Sequence, residues 1–342
     1  MMAKKILGVD IGYDRLKLVL ANGSRIVKTV NVEMPEKLMR DGGIASVEAM
    51  GELLRNTMRE AGIRCSRAAW VISNENAFVR SVIMPQMTAD QLVYNLPFEF
   101  RDYITSELKD YVYDYAMISA PRELKEQQTS AEQSPDGEQA GPTMELLAAA
   151  VPASLLAEMK QIFRKAGLKM VNAAPVVCSY MALIRKTGET SDREYCILDL
   201  GYHGIRMYIY RGDRHVVTRV LETGLFQVDN AISDAYNVDV HLAHTYLMTN
   251  FDNCQNKDVC INVFNNIAVE LMRAMNFYRF RNPESQLADI WLCGGGADIP
   301  ALQTAIDNML DLKIHQASEL VPGGESLEEC AALVQAIGIT QY

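Results

Sequence analysis

The chain has no paired-cysteine pattern. Its seven cysteines (Cys65, Cys178, Cys196, Cys254, Cys260, Cys293 and Cys330) are scattered and none forms a CxxC. That argues against a ribbon-type zinc site and against a disulfide framework, and leaves reduced thiols in a cytoplasm as the expectation. No apolar stretch approaches the ~18 uninterrupted residues that a membrane span requires. The first residues enter a strand-like run directly rather than a charged-then-apolar export signal. Lys and Arg number 33 against 43 Asp and Glu, a formal charge of −10 with no long basic tract, which disfavours nucleic acid as a partner. The phosphate-loop signature ending in GK[ST] and the GxGxxG dinucleotide fingerprint are both absent. What remains is a 342-residue chain, 49% apolar, long enough for about two domains with sizeable cores.

Two stretches share one pattern. "ILGVDIGYDRLKLVLANGSR" begins at Ile6, and "YCILDLGYHGIRMYIYRGDR" begins at Tyr195. At a constant offset of 189 positions, Asp10 meets Asp199, Gly12 meets Gly201, Tyr13 meets Tyr202, and Gly23 meets Gly212. A single gapless offset over this length indicates a duplicated supersecondary unit. Each copy reads as a hairpin followed by a third strand: Lys5–Ile11, Leu16–Leu20 and Arg25–Val32 in the first, with Asn22-Gly23 as the second turn. Glycine after a strand-ending Asp lets backbone N–H groups approach an anion, and the carboxylate can hold Mg²⁺ through water. Two such bends facing one another would clamp a polyphosphate. A plain pair of antiparallel hairpins is the simpler alternative.

A third element is "IWLCGGGADIPAL", residues 290–302: an apolar strand, three glycines (Gly294, Gly295, Gly296), then a helix with Asp298 expected as its N-cap and Pro300 in its first turn. Glycines at a helix N-terminus let a charged or flat ligand lie against backbone. Upstream, Ile267, Leu271, Ala274, Met275 and Tyr278 fall at helical spacing, and Glu270 and Arg273 lie one turn apart on a more polar face, where an exposed ion pair is the default.

The ordered set of Asp-x-Gly hairpin, second Asp-x-Gly hairpin and Gly-Gly-Gly loop resembles the actin-like ATPase superfamily. Within it, the chain is most similar to the PilM family of type IV pilus assembly. The closer likeness is carried by "ILGVDIGYDRLKLVL", "MPQMTADQLVYNLPFEFRDYI", "DYVYDYAMIS", "MELLAAAVPASLLAEMKQIFRKAGLK", "VELMRAMNFYRF" and "LCGGGADIPAL". The resemblance implies an α/β actin-like ATPase fold: two duplicated ribonuclease-H-like domains, each with an inserted subdomain. It implies ATP or ADP with Mg²⁺ as ligand, Asp10, Gly12 and Lys17 in the first phosphate hairpin, and Asp199 and Gly201 in the second. Asp10 and Asp199 would hold the metal through water. Glu270 and Arg273 would face adenosine, and Gly294, Gly295 and Gly296 would line the nucleotide's other side. The implied partner is the short cytoplasmic N-terminal tail of a PilN-like bitopic membrane protein, docked between the first domain and its inserted subdomain, together with other pilus-machine components. The implied location is the inner face of the cell membrane, reached through partners without insertion.

The sequence departs from the family pattern where small residues usually follow Asp-x-Gly: Tyr13-Asp14-Arg15 and Tyr202-His203 stand there. Pro175 occupies the region where an acid or amide would orient an attacking water, so nucleotide binding with weak or absent hydrolysis is expected. A phosphotransferase on the same fold and a filament-forming cytoskeletal ATPase are the alternatives. Residues 1–190 are read as the first domain, with an inserted subdomain over about 84–152 and a mobile loop at 121–143. Residues 191–342 form the second, with a helical insert over about 225–287 and a last helix at Leu327–Ile337. His241 and His244, at i, i+3 with Asp239 near, are read as a solvated helix face because no third metal ligand is evident. The aromatic cluster of Tyr94, Phe98, Phe100, Tyr103, Tyr111, Tyr113 and Tyr115 is read as core, with part of it lining a peptide groove.

Overall fold

β1 (Lys5–Ile11), β2 (Arg15–Asn22) and β3 (Arg25–Glu33) form an antiparallel meander in the computed structural model, which describes residues 5–35, 37–40, 43–119, 142–188 and 192–342. The β1–β2 register sets Asp10 opposite Lys17. The bend between them closes with Gly12 N–H donating to the Arg15 carbonyl at 2.9 Å. A short ladder of β4 (Met39–Arg40) and β5 (Gly43–Ile44) leads into α1 (Val47–Glu60), where the Ser46 hydroxyl accepts from Ala49 N–H as the N-cap. β6 (Arg67–Ile72) returns parallel to β1, and β10 (Lys169–Pro175) lies parallel to β6, preceded by α3 (Ala153–Lys165). The sheet order is therefore β3-β2-β1-β6-β10.

The second half repeats this plan. β11 (Glu194–Leu200), β12 (Ile205–Arg211) and β13 (Arg214–Leu221) form the meander, and β14 (Asp289–Cys293) and β15 (Lys313–Gln316) extend it in parallel. The order is β13-β12-β11-β14-β15, with Asp199 opposite Arg206 as Asp10 is opposite Lys17. α5 (Leu225–Tyr236), α6 (Val240–Thr249) and α7 (Asp258–Arg281) lie between β13 and β14, and α8 (Pro300–Met309) between β14 and β15.

Between β6 and α3 a separate antiparallel sheet forms from β7 (Phe78–Pro85), β8 (Tyr111–Ser119) and β9 (Thr143–Pro152), ordered β7-β9-β8. It starts at Phe78, upstream of the expected 84. α2 (Ala89–Asn95) and the turn Leu96–Phe100 cover it, burying Leu92, Leu96 and Phe100 against Val82, Met84 and Leu146. Residues 121–141 of the expected loop lie outside the described residues.

The central strands of each five-stranded sheet are buried on both faces, while the edge strands β3 and β13 are largely open to solvent. Outward, Leu7, Val9 and Leu18 pack on Leu54 of α1 and Phe163 of α3, while Leu198, Met207 and Ile290 pack on α5, α7 and α8. Inward, Val19, Val71, Tyr195, Tyr208 and Trp291 enclose two crossing helices, α4 (Val176–Thr187) and α9 (Cys330–Gln341). These two helices touch so closely that a Cβ on Gly338 would strike the Ser179 carbonyl. The last helix starts later than expected because Glu329 sits at φ +52. It continues past Ile337 to Gln341, with Gly338 at the point of contact with α4.

Candidate functional site

The bends after β1 and β11 end neighbouring sheets and face one another across a cleft of about 610 Å³, within the range of small-molecule sites. Asp10, Gly12, Lys17, Asp199, Gly201, Gly294 and Gly295 all border it. Asp10 and Asp199 are each only 7% exposed. Lys17 Nζ sits 3.3 Å from Asp10 Oδ2. Burial alone would lower the Lys17 pKa, but Asp10, Asp199 and Asp14 together hold it above the ordinary lysine value. Asp199 is pushed up to about 6, first by burial and then by the Asp10 charge, with Lys17 opposing. Its Oδ2 accepts from Gln335 Nε2 of α9 at 2.8 Å, and the same amide reaches the Tyr180 hydroxyl at 2.9 Å.

The Gly-rich turn after β14 presses against the second bend. Gly294 has φ +83, and a side chain there would strike the Asp199 carboxylate, so the position requires glycine. Gly296 does not border the cleft. Its N–H donates to the Leu200 carbonyl at 3.0 Å and fixes the turn on β11. Asp298 is not the helix cap, since Ile299 holds the cap position of α8 without a side-chain bond. The Asp298 carboxyl borders the cleft instead, its pKa raised by burial and by Glu329. Glu270 and Arg273 are not brought to the cleft. They pair with each other at 2.5 Å on the exposed side of α7.

Contacts cross the cleft at several points. The Tyr13 and Tyr202 rings lie 9° from parallel with centroids 6.5 Å apart, and the His203 ring stands edge-on to both, 4.2 Å from Tyr13 and 4.9 Å from Tyr202. Arg206 pairs with Glu75, and Asn31 Nδ2 donates to Glu329 Oε2 at 2.7 Å. Arg206 is the counterpart of Lys17 at the same 189-residue offset, a signal the repeat already contained. His244 is not on a solvated face. Its Nδ1 lies 2.8 Å from the fully buried Asp229, that hydrogen bond raises the imidazole pKa, and the ring borders the cleft. No sequence spacing pointed to Gln335, which acts from a helix 136 residues after Asp199.

Do these residues suit a nucleotide with magnesium? Six carboxyl groups border the cleft (Asp10, Asp14, Glu75, Asp199, Asp298, Glu329) against Lys17, Arg15 and Arg206. A bare polyphosphate would be repelled by that balance, whereas one accompanied by a divalent cation matches it. Mg²⁺ is ordinarily held by one or two carboxylates, water and the ligand's own phosphates, which Asp10 and Asp199 can support. Among the described residues no group of three or more His, Cys, Asp or Glu could hold a metal by itself. Val176, which follows Pro175, borders the cleft, and neither side chain can orient a water as an acid or amide would.

Twin sheets with one strand order, crossing helices between them and facing Asp-x-Gly bends define an actin-like ATPase fold. Three solved structures share it. A PilM-PilN type IV pilus biogenesis complex is 22% identical, with 98% of each chain covered and a TM-score of 0.79. The ethanolamine utilization protein EutJ from Carboxydothermus hydrogenoformans is 13% identical, covering 98% of this chain and 89% of that one, TM-score 0.60. An archaeal actin homolog is 11% identical, covering 99% and 98%, TM-score 0.51. No curated protein matches the chain. The family model described as type IV pilus assembly protein PilM matches residues 8–320, and the chain belongs to that family. Among the described residues no helix is long and apolar enough to cross a membrane.

Proposed function

We propose that the chain is a nucleotide-binding scaffold of a type IV pilus assembly machine, held at the inner face of the cell membrane by partners, with weak or absent ATP hydrolysis. ATP or ADP with Mg²⁺ would sit between the bends, with Asp10 and Asp199 holding the ion through water. Lys17, Gly12 and Gly201 would attend the phosphates, and Gly294 and Gly295 the other side. Residues 1–190 and 191–342 would be the two bodies that close on it. The observation that carries this reading is the pair of facing bends in a family of pilus assembly proteins.

The partner in this reading is the cytoplasmic N-terminal tail of a PilN-like bitopic membrane protein, since a related structure is a PilM-PilN complex. The inserted sheet offers it a surface. Ile83, Tyr94, Phe98 and Met117 are each more than half exposed, and β7 and β8 are edge strands among the described residues. An extended tail can add backbone hydrogen bonds to such an edge and seat apolar side chains beside it. The test is titration of the purified chain with a labelled tail peptide. Micromolar or tighter binding, weakened at least tenfold by Ile83→Glu with Phe98→Asp, supports the reading. Absence of saturable binding refutes the partner half. Rapid phosphate release from ATP, alone or with a small metabolite, would favour the phosphotransferase alternative.

A further inference from the structure

The amino ends of the central strands lie at the opposite end of the sheets from the cleft. In the first sheet, Lys169 of β10 pairs with Arg67 of β6. Leu7 pairs with Ala68, which places Lys5 of β1 alongside that strand's start. Lys5 pairs with Asn22, and Asn22 with Arg25. Four of five successive positions along this end are cations. At ~4.8 Å between strands the row runs roughly 19 Å.

The second sheet has the same register but different charges. Lys313, Asp289, Glu194, Arg211 and Arg214 occupy the matching places. There two acids interrupt the three cations: Arg211 pairs with Glu194 at 3.2 Å, and Arg193, the residue before Glu194, pairs with Asp289 at 3.3 Å. In the first copy Lys5 stands where Glu194 stands in the second, and Arg67 where Asp289 stands, so both acids of the motif are replaced by cations. Arg64 adds a further charge. A groove of about 630 Å³ opens beside the row, lined by Lys5, Arg64, Cys65, Ser66 and Arg67, without a carboxyl group. Lys169 N–H donates to the Ser66 carbonyl at 2.8 Å, which fixes the β10 start on its rim. Lys5, Arg25, Arg64 and Lys169 are exposed and Arg67 is half-buried. Among the described residues none of the five is in an ion pair.

We propose that this end of the first sheet is a docking face for an anionic phospholipid surface. The cations are spread along a line instead of converging, which suits many headgroups better than one small anion. Among the described residues the row itself offers cations and no large apolar side chain, so contact would be electrostatic and peripheral. The chain's overall charge of −10 does not cancel it, because at physiological salt charges beyond ~8 Å are largely screened. The choice of lipid over other polyanions rests on the reading that the partner is a membrane protein's tail. The test omits that partner, so its failure is distinct from failure of the tail titration.

The full chain is sedimented with phosphatidylglycerol vesicles and with phosphatidylcholine vesicles at low salt. Expected are partitioning to the anionic vesicles only, release as salt rises, and a loss of at least about tenfold for Lys5→Glu with Lys169→Glu, while Lys5→Arg with Lys169→Arg keeps binding. The proposal is overturned by no partitioning to phosphatidylglycerol, by equal partitioning of the charge-reversed variant when the wild type and the Arg variant bind alike, or by binding to duplex DNA in place of vesicles.

Discussion

Tyr13 and Tyr202 lie 189 positions apart in the chain, yet their rings stand nearly parallel with centroids 6.5 Å apart across the cleft. They are equivalent residues of a duplicated bend, so their meeting shows that the two copies face each other. It also places bulky aromatics, Tyr13, Tyr202 and His203, on the border of the cleft.

Replacing Tyr13 by Ser should open that border. The Tyr13 ring is 45% exposed, and an aromatic pair of this kind contributes ~0.5–1.5 kcal/mol, so the fold should lose about 1 kcal/mol or less. The association rate of Mg²⁺-nucleotide should rise several-fold. Stopped-flow mixing with a fluorescent ATP analogue measures the rate, and an unchanged or slower rate would show that the rings do not gate entry.

Asp199 should trade stability for binding. Its carboxyl has a folded pKa raised to about 6, above its ordinary value near 3.8, chiefly by burial. The folded state therefore holds the proton more tightly than the unfolded one, and this group's contribution to stability falls as pH rises from about 4 to about 6. At pH 7 the cost is on the order of 3 kcal/mol. Asp199→Asn should raise the melting temperature by a few degrees at neutral pH and abolish the further rise expected of Mg²⁺-nucleotide with the wild type. For the wild type, Mg²⁺-nucleotide affinity should drop on acidification through pH 6. Thermal melts across pH check both.

Glu194 should behave in the opposite sense. Burial alone would raise its pKa, but Ser285, Tyr278 and Arg211 more than offset that and hold it below the ordinary glutamate value. Ser285 Oγ donates at 2.6 Å and Tyr278 OH at 2.9 Å. A depressed folded pKa gives stability that is present above the unfolded pKa and lost as pH falls through the folded one. Glu194→Ala should cost about 2–4 kcal/mol at pH 7 by stranding its donors. Urea unfolding between pH 6 and 3 should show a weaker acid dependence for the variant than for the wild type.

Gly338→Val should pry α4 from α9. A side chain there meets backbone at Ser179, which has no room to move without shifting a helix. Overpacking of this kind costs ~1–3 kcal/mol. The midpoint of thermal unfolding should fall, and Asp199, held by Gln335 of the same helix, should lose nucleotide affinity along with it.

The repeat was legible because Asp, Gly and turn residues recur at one offset, and short apolar runs marked the strands between them. The glycine-rich turn was legible for the same local reason. What the sequence concealed depended on distant partners. His244 looked solvated because Asp229, which bonds it, lies on another helix. Asp298 looked like a cap because it stands next to a helix start, but the chain turns its carboxyl to the cleft. The last helix was expected to end at Ile337, whereas it runs to Gln341 through Gly338, a glycine that the crossing of α4 and α9 requires. Glu270 and Arg273 were placed by analogy with the adenosine-side helix, and the chain points them outward as an ion pair instead.

The most direct measurement is calorimetric titration of the full chain with ATP and with ADP, each with and without Mg²⁺, repeated for Asp10→Ala and Asp199→Ala. Saturable binding that requires Mg²⁺ and is lost in both variants while their folds persist is the expected result. Metal-independent binding, or binding that survives either substitution, would contradict it.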